Sequence, residues 1–476
     1  MSAGTTGTVG AVGPSAGPSE EERARRNAVR ALPGLVFIFM LGIVCLHAFN
    51  FVFNDIGREL GAPAQAALIT AIPGVVLGVV SVIYGSLGDF VSLRRMMMVG
   101  LGLILVGSVL GFASGASIWL VIAARAIQTA GCQVAASVYL VVATKYVPGP
   151  KKVVYFGVFT AAYQFSTAIG VVVAGQVHWL WFFAIPLLSV LFAPSLYRNL
   201  PDARGRGRRV DIVGFLLAGV TVGSLVMFFT TQSWWWLLGC GVLAVAFWAY
   251  ISRVPHAFVT PAFFANRSYL MAVSLILVFY LGQYAMTPLF NAVGAQLYGY
   301  GLTAMSFVLI WANLAGGVMG MLSGRIVGWI GRGLGIVVAV SLMALSCFAA
   351  AFALEAGIWA VGLCAVVFFA GLAMLYSPVV DTVVGTVDVS ESGRVVGLND
   401  LAMNVSPSIG VAIVGSLMNG TALSSVTVAG ATQGPAATYS AIFLLLGGVF
   451  LAGLAWFFAV KSRLYPDAWG RVSPEA

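Results

Sequence analysis

The feature that most constrains this chain is a series of continuous apolar runs, each about 20 residues long. A helix of that length crosses the hydrocarbon core of a bilayer and satisfies its own backbone hydrogen bonds there. A membrane barrel would show alternating segments of about 10 residues instead. We therefore predict an all-α, polytopic membrane protein with 14 transmembrane helices. The runs lie near residues 32–53, 65–88, 96–115, 118–143, 153–175, 178–197, 212–231, 234–252, 269–290, 303–323, 334–354, 357–379, 395–417 and 438–460.

The composition excludes a soluble protein. Of the 476 residues, 60% are hydrophobic and 8% are charged, whereas a soluble domain carries about a quarter charged residues. The cysteines Cys45, Cys132, Cys240, Cys347 and Cys364 lie far apart inside apolar runs, with no CxxC pair. They are typical of small buried side chains, so we expect neither a disulfide framework nor a metal site, and no cofactor.

The basic residues fall on one side of the predicted spans. Of the 24 Lys and Arg residues, all except Arg58 and Arg125 lie in connections or tails that alternate to the same side. Positively charged connections stay in the cytoplasm, which predicts cytoplasmic N- and C-termini in a bacterial plasma (inner) membrane. This placement explains the net charge of +9 without a nucleic-acid partner.

The longest charged connection divides the spans into groups. It is a cytoplasmic linker at 198–211, and it separates an N-terminal six-helix bundle at 31–197 from the remaining spans. We expect a disordered cytoplasmic tail at 1–30 and a cytoplasmic tail at 461–476.

A motif follows the second span. The stretch GSLGDFVSLRR resembles the G-x-L-x-D-x-x-G-x-R signature of the major facilitator superfamily, with Ser92 in place of a glycine. The resemblance implies that this loop gates the cytoplasmic side, with Asp89 meeting a cation or a helix N-terminus of the opposite bundle. The gating residues it assigns here are Gly85, Leu87, Asp89, Arg94 and Arg95.

Two further stretches carry the same resemblance. GMLSGR, from Gly320 to Arg325, echoes the first motif in the second half, as a tandem-repeat transporter predicts, although Gly324 replaces the aspartate. In the fourth span, Arg125 and Gln128 match the family's R-x-x-Q-G-x-G motif. A charge inside the membrane costs at least ~2.5 kcal/mol, so Arg125 either lines a cavity or is a structural arginine bonded to backbone carbonyls.

Most of residues 35–460 resembles the 14-span drug:proton antiporter branch, which includes Gram-positive tetracycline efflux proteins and actinobacterial antibiotic exporters. In that branch two six-helix bundles flank an extra helix pair, which the resemblance places here at 212–252, with the C-terminal bundle at 253–460. The resemblance also implies a monomeric exporter of a drug, antibiotic or secondary metabolite, working by proton antiport and alternating access. Such an exporter would confer antibiotic resistance.

The chain departs from this branch in the fifth span and at three acidic positions. The Gly-Pro step of the antiporter signature is Ser166-Thr167 here, and Gly170 alone is kept. Acids that relatives carry in spans one, five and thirteen are replaced by apolar or uncharged residues. These departures favour a neutral or anionic substrate over a cationic one.

Polar residues recur on single faces of several spans. Since polar side chains are costly in lipid, such stripes usually mark a bundle interior. The alternative is interhelical hydrogen bonding, at roughly 1 kcal/mol per contact. The candidates for the cavity are His47, Asn50, Arg125, Gln128, Tyr163, Gln164, Tyr280, Gln283, Tyr284, Asn313 and Asn404.

Proton coupling requires a titratable group that reaches both aqueous sides. The candidates are Asp400, Asp381 and His47, and Asp400 is preferred because burial in an apolar run raises the pKa of a carboxyl group toward neutrality. Asp381 lies near an end of its span and could simply be solvated, and His47 could be a packing histidine.

Other classes of function have less support. Uptake or facilitated diffusion without protons remains an alternative, favoured by the altered fifth span. The sequence contains no GxxxxGKS/T loop for ATP, and no HExxH or GxSxG motif for a membrane-embedded enzyme. We therefore expect a non-enzymatic transporter whose partners are its small-molecule substrate, protons and the lipid bilayer.

Overall fold

The computed structural model describes residues 20–465, except 88–90, 116, 148, 203–210, 256, 258, 260, 387–391, 421–422 and 424–433. Within these residues the regular elements are all helical. They are α1 (Glu20–Glu59), α2 (Leu68–Leu87), α3 (Leu93–Phe112), α4 (Ile118–Tyr146), α5 (Gly149–Gln176), α6 (Ala193–Asn199), α7 (Ile212–Thr231), α8 (Trp234–Arg253), α9 (Pro261–Ala265), α10 (Arg267–Phe279), α11 (Gln283–Tyr298), α12 (Leu302–Ile330), α13 (Arg332–Ala353), α14 (Ile358–Val384), α15 (Ser392–Asn419) and α16 (Pro435–Leu464).

The membrane-spanning architecture agrees with the predicted fold class. Among the described residues, 13 helical segments are long and apolar enough to cross a bilayer. The 28-residue helix α5 adds a fourteenth at the position of the fifth predicted span. The prediction of an all-α, polytopic membrane protein is confirmed.

The sixth span is not a regular α-helix. It consists of two 3-10 segments, Trp179–Phe183 and Ile185–Phe192, followed by α6. Pro186 and Pro194 lie in this span, and each removes a backbone N–H from the i to i−4 ladder. The tighter 3-10 geometry accommodates this loss over short lengths.

The ninth span is broken in its middle. Helix α10 ends at Phe279 and α11 begins at Gln283, so Tyr280, Leu281 and Gly282 form an irregular connection. Helix α15 packs directly on it, because a Cβ built on Gly410 would lie 1.8 Å from the Leu281 carbonyl oxygen. Broken helices near the membrane midplane are where many secondary transporters bind their substrates.

Glycines allow close packing inside the N-terminal group of helices. A Cβ on Gly131 of α4 would lie 2.6 Å from the Gly100 carbonyl oxygen of α3, and one on Gly107 would lie 2.5 Å from the Gln128 nitrogen. Neither position tolerates a side chain. Helix α4 also packs on α1 and α2, while α12, α13, α14 and α16 pack together in the C-terminal group.

The two groups meet along three helix pairs, which are α2 with α15, α5 with α12, and α1 with α11. Helix α7 lies against both α2 and α15, and α8 packs on α7. We call the end that carries Arg94, Arg198, Arg253 and Arg332 the basic end, and the opposite end, where α1 finishes at Glu59, the far end.

The two groups are in close contact at the far end. A Cβ on Gly415 of α15 would lie 2.6 Å from Ala67 Cβ, and the Asn419 amide donates a 3.1 Å hydrogen bond to the Pro63 carbonyl. On the other side of the molecule, the Thr303 hydroxyl donates to the Gly175 carbonyl. These contacts hold the two groups together at the far end.

Candidate functional site

Four tyrosines from both groups of helices meet near the break between α10 and α11. We call Tyr163 of α5, Tyr280, Tyr284 of α11 and Tyr376 of α14 the tyrosine cluster. Tyr163 lies within electrostatic range of the other three hydroxyls, and its hydroxyl also interacts with the Gln283 side chain. The cluster therefore spans the boundary between the two groups.

Tyr376 shows that the cluster borders an open space. Its side chain faces Tyr163 and Asp400, yet 53% of its surface is exposed. Both Tyr376 and Asp400 are eight residues from the basic end of their helices, which is about 12 Å along the axis. Because Tyr376 is exposed while it lies within electrostatic range of Tyr163 and Asp400, we infer an open space between the groups on the side of the cluster toward the basic end.

Asp400 is the acidic group of this space. It lies within electrostatic range of the Tyr376 hydroxyl and is partly exposed. The ion pairs among described residues do not include it. A carboxyl group that is reached by water but has no fixed cation partner can take up and release a proton.

Asn404 connects helix α15 to the tyrosine cluster one turn after Asp400. Its amide donates a 2.8 Å hydrogen bond to the main-chain carbonyl of Asp400, and its Oδ1 accepts a 3.0 Å hydrogen bond from the Tyr284 hydroxyl. Helix α2 approaches here through two glycines. A Cβ on Gly78 would lie 3.1 Å from Asn404 Cβ, and one on Gly74 would lie 2.2 Å from the Ser408 hydroxyl.

Two further predicted residues lie beside the cluster on α1. The His47 ring meets Tyr163 edge to face, at 6.0 Å between centroids, and packs on Gly170, where a Cβ would lie 3.0 Å from His47 Cβ. Both His47 and Asn50 are buried, and no hydrogen-bond partner among the described residues reaches His47 Nε2 or the Asn50 amide. His47 is thus next to the cluster but outside the exposed space.

Gln164 lies where α5 meets α12. Its amide donates a 3.1 Å hydrogen bond to the Gly316 carbonyl, and a Cβ on Gly320 would lie 3.0 Å from the same amide nitrogen. Asn313, one turn along α12, is buried and donates to the Leu309 carbonyl of its own helix at 3.0 Å. Gln164 therefore holds the boundary, whereas Asn313 is satisfied within α12.

Arg125 and Gln128 lie in the core of the N-terminal group, away from the tyrosine cluster. Arg125 is 2% exposed, and its guanidinium donates to Gln128 Oε1 at 2.9 Å and stacks over Phe49 at 4.4 Å. The Gln128 amide in turn donates to the Ser108 hydroxyl at 2.9 Å. These contacts favour a structural role for Arg125, with Nη1 bonded to side chains rather than to backbone carbonyls, while Arg125 Nε has no hydrogen-bond partner among the described residues.

Asp381 occupies the end of α14 at the basic end. Its carboxylate lies 3.7 Å from Arg332 Nε, and its side chain is 55% exposed. This position favours the solvated interpretation of Asp381 over a buried proton carrier.

The gating motif is partly described. Gly85 and Leu87 belong to the last turn of α2, and Asp89 lies outside the described residues. Arg94 and Arg95 begin α3, where both approach Asp202, at 3.5 and 3.7 Å. In the second half, Gly320 packs against Gln164 while Arg325 is exposed.

The altered antiporter signature gives a continuous helix. The hydroxyls of Ser166 and Thr167 donate to the carbonyls four residues earlier, at 2.6 and 3.0 Å, and α5 runs unbroken from Gly149 to Gln176. Such bonds bend a helix only slightly. Gly170 remains where α5 must approach α1, because a Cβ there would lie 2.6 Å from the Val44 carbonyl oxygen.

Sequence reasoning missed Tyr376 and the broken ninth span. Tyr376 stands alone in an apolar run, so it belongs to no polar stripe. The break had one signal, a Tyr-Leu-Gly-Gln sequence inside the span, in which Gly282 weakens the helix. Among the described residues, no group of three His, Cys, Asp or Glu residues is arranged to hold a metal ion.

Comparisons with known proteins agree with this architecture. The family model for the Major Facilitator Superfamily matches residues 34–411. Multidrug resistance protein Stp of Mycobacterium tuberculosis (strain CDC 1551 / Oshkosh) is 23% identical over 408 residues, which cover 81% of this chain and 74% of Stp. Multidrug resistance protein 3 of Bacillus subtilis (strain 168) is 25% identical over 317 residues, which cover 61% of this chain and 60% of that protein.

Solved transporter structures share the fold. A POT peptide transporter in complex with alafosfalin superposes with a TM-score of 0.66 at 14% identity, covering 93% of this chain and 98% of that one. A D-xylose-proton symporter gives a TM-score of 0.62 at 13% identity, covering 92% and 98%. With a family model matched over most of its length and a transporter fold, this chain belongs to the Major Facilitator Superfamily and is a multi-pass membrane transporter, not an enzyme.

Proposed function

We propose that the protein exports a small organic molecule from the bacterial cytoplasm in exchange for protons, by alternating access. The observation that carries this proposal is the position of Asp400. It is a carboxyl group in a space between the two halves, within electrostatic range of Tyr376, and it lies one helical turn before Asn404, whose Oδ1 accepts a hydrogen bond from the Tyr284 hydroxyl. A substrate bound by the tyrosine cluster and a proton bound by Asp400 would therefore compete for one site.

The state of the molecule is compatible with export, and the names of the relatives support that direction. Basic connections stay in the cytoplasm, so the basic end is cytoplasmic, as are both termini. The space around Tyr376 then opens to the cytoplasm while the contacts at Gly415 and Gly175 close the outside. An exporter loads its substrate in this state, and the names of the relatives, two of them multidrug resistance proteins, support export.

Proton exchange would complete the cycle. When the far end opens, Asp400 takes up a proton from outside as the substrate leaves. When the far end closes again, the proton passes to cytoplasmic water and the carboxylate is free for the next cycle. The protein needs no cofactor for these steps, because the proton gradient supplies the energy, and the site lies within one chain, consistent with a monomer.

The polar groups of the site favour an uncharged substrate. The tyrosine hydroxyls, Gln283 and Asn404 offer hydrogen-bond donors and acceptors, and the rings offer flat apolar faces. An anionic substrate would need a basic partner, and Arg125, the basic residue in the fourth span, is sealed in the core at 2% exposure. We therefore propose a neutral, partly aromatic drug or secondary metabolite, whose export would give antibiotic resistance.

A second candidate function is facilitated diffusion without protons. It is favoured by the unbroken α5, in which Ser166 and Thr167 replace the Gly-Pro step of proton antiporters. In that case Asp400 would only bind the substrate.

Inverted membrane vesicles separate the two functions. The vesicles contain a pH-sensitive dye and are energised so that their lumen becomes acidic, and chloramphenicol, novobiocin and ethidium serve as neutral, anionic and cationic probes. We expect chloramphenicol to cause a loss of luminal acid, and Asp400→Asn to abolish that loss. Asp381→Asn, which removes a carboxylate at the solvated end of α14, is the matched control and should keep most of it.

Two outcomes would contradict the proposal. If labelled chloramphenicol enters the vesicles with no change in luminal pH, the protein is a facilitator. If the acid loss survives in Asp400→Asn and disappears in Asp381→Asn, antiport stands but the proton carrier is at the end of α14.

A further inference from the structure

Helix α7, the first of the extra pair, lies across the boundary between the two halves. It packs on α2 of the N-terminal half and on α15 of the C-terminal half. Its contact with α2 is close at Gly219, where a Cβ would lie 3.1 Å from Val79 Cγ2. Helix α8 packs on α7 and turns its other side outward, with Trp235 80% and Val245 70% exposed.

The start of the linker to α7 is held by the N-terminal half. Asp202 accepts a 2.6 Å hydrogen bond from the Ser92 hydroxyl, and its carboxylate lies 3.5 Å from Arg94 Nη1. The main chain just before the linker is also held, because Arg94 Nε donates a 3.1 Å hydrogen bond to the Leu200 carbonyl. Ser92 stands where the superfamily signature has glycine, so the departure from the motif supplies one of these contacts.

The other end of the linker is held by the extra pair itself. Asp211 caps α7 by accepting a 2.8 Å hydrogen bond from the Gly214 nitrogen, and its Oδ1 also accepts one from the Tyr250 hydroxyl of α8 at 2.5 Å. An N-cap of this kind fixes the first turn of a helix. Asp202 and Asp211 therefore fix the two ends of a short connection between the gating loop and α7.

We propose that the extra pair moves with the N-terminal half during transport, as a fixed cover over the boundary between α2 and α15, so that α15 slides along α7. The hydrogen bonds and ion pairs described for Asp202 and Asp211 tie the two ends of the linker to the gating loop and to α8, and α7 packs on α15. Asp202 is then a positioning residue of the transport cycle. This inference rests on the proposed alternating access, because it states which half α7 follows.

A helix over the boundary between α2 and α15 would keep the polar site away from lipid. Helix α15 places Asn404 next to Gly78 of α2, with Asp400 one turn away, and a gap between these helices would open the site to the bilayer. Polar groups in lipid are costly. A helix that stays in place over the boundary while α15 moves keeps the site closed to the bilayer in both states.

Distances between spin labels in nanodiscs test which half α7 follows. Exposed sites near the basic end are Thr144 on α4, Val213 on α7 and Gly328 on α12. Two of these three positions at a time are replaced by cysteine and spin-labelled. Each pair is measured in the otherwise unchanged protein and in the Gly415→Leu variant. The leucine side chain cannot fit against Ala67 and therefore forces the far end apart. The label on Cys240, which is partly exposed, is removed by Cys240→Ser.

We expect the 144–328 and 213–328 distributions to shift to shorter distances in Gly415→Leu, and the 144–213 distribution to stay unchanged. A shift of 144–213 with a constant 213–328 distribution would overturn the inference, because α7 would then follow the C-terminal half. If the 144–328 distribution does not change, the two halves do not move relative to each other. That result would contradict the proposed alternating access rather than the assignment of α7 to the N-terminal half.

The anchoring role of Asp202 has its own readout in the 144–213 pair. Asp202→Ala removes the Ser92 hydrogen bond and both arginine contacts, so it should broaden this distribution, and Ser92→Gly should broaden it less. The double variant should broaden it no further than Asp202→Ala, since Ser92 holds the linker through Asp202. Arg198→Gln, which removes an exposed charge from the same region, is the control and should leave the width unchanged. An unchanged width in both Asp202→Ala and Ser92→Gly would show that the linker contacts do not hold α7.

Discussion

The side-chain amide of Gln164 donates a 3.1 Å hydrogen bond to the main-chain carbonyl of Gly316, and the two residues belong to opposite halves of the protein. Together with the contact of α2 and α15 at Gly74 and Gly78, this bond marks where the halves touch around the tyrosine cluster. The site thus lies between two contacts that any opening of the far end must change.

Gly74 is predicted to be essential for transport but not for insertion. A Cβ there would lie 2.2 Å from the Ser408 hydroxyl and 3.0 Å from the Tyr284 ring, so Gly74→Leu keeps the far end from closing. We expect export to fall by at least tenfold at normal expression. Gly102→Leu is the control, because no atom lies within 4 Å of a Cβ at that position of α3. Equal activity in the two variants would show that α2 and α15 do not need to touch.

A cysteine in place of Tyr376 should react with a membrane-impermeant maleimide from the cytoplasmic side. The reason is that Tyr376 is 53% exposed inside a space that opens at the basic end. Labelling is compared between inverted and right-side-out vesicles. Thr287→Cys is the control for a buried position, and the unsubstituted protein gives the background labelling of the native cysteines. Labelling only from the outside would mean that the site opens at the far end.

Arg125→Ala should destabilise the protein without changing how the remaining folded protein binds substrate. The change removes a charge-assisted hydrogen bond to Gln128, worth about 1.5–3 kcal/mol, and a cation–π contact with Phe49, worth up to about 2 kcal/mol. Thermal unfolding of the purified protein measures the loss. A variant with unchanged thermal stability and lost substrate binding would place Arg125 on the transport path instead.

Tyr284 and Asn404 are predicted to act together in substrate binding. Tyr284→Phe removes the donor of their 3.0 Å hydrogen bond, and Asn404→Ala removes the acceptor. In a double-mutant cycle on substrate affinity we expect a coupling energy of about 0.5–1.5 kcal/mol, the usual range for a neutral hydrogen bond. Additive effects would indicate that the bond does not shape the site.

The helical fold and the position of the site in the ninth span could be predicted from sequence. Polar residues at helical spacing, such as Tyr280, Gln283 and Tyr284, lie on one face, and in a membrane protein such a face turns inward. The same rule selected Asn404. For Gln283, Tyr284 and Asn404 the spacing within one helix is enough to predict that the side chain faces the interior.

Polar residues at helical spacing predict that a face turns inward, but they do not predict which neighbouring helix that face contacts. Arg125 and Gln128 also form an inward pair, but they face α1 and α3 in the core of one half, whereas Tyr163 faces the other half. The difference depends on tertiary packing. Tyr376 was missed for a related reason, because a single tyrosine in an apolar run has no periodic pattern to reveal it.

The linker contacts depend on chain segments that are distant in sequence. Ser92 and Asp202 are 110 residues apart, so nothing local indicates that they form a hydrogen bond. The replacement of the motif glycine by Ser92 was the one sequence feature that pointed to a contact here. The sequence does not indicate that the partner of Ser92 is Asp202. The irregular sixth span had a clearer signal in Pro186 and Pro194.

The central claim is that Asp400 couples a proton to substrate movement, and transport by proteoliposomes tests it most directly. Chloramphenicol transport is measured in two ways for the unsubstituted protein and for Asp400→Asn, as exchange at equal pH and as accumulation driven by an imposed pH gradient. We predict that Asp400→Asn keeps exchange but loses gradient-driven accumulation. Accumulation at the unsubstituted level in Asp400→Asn would contradict the account.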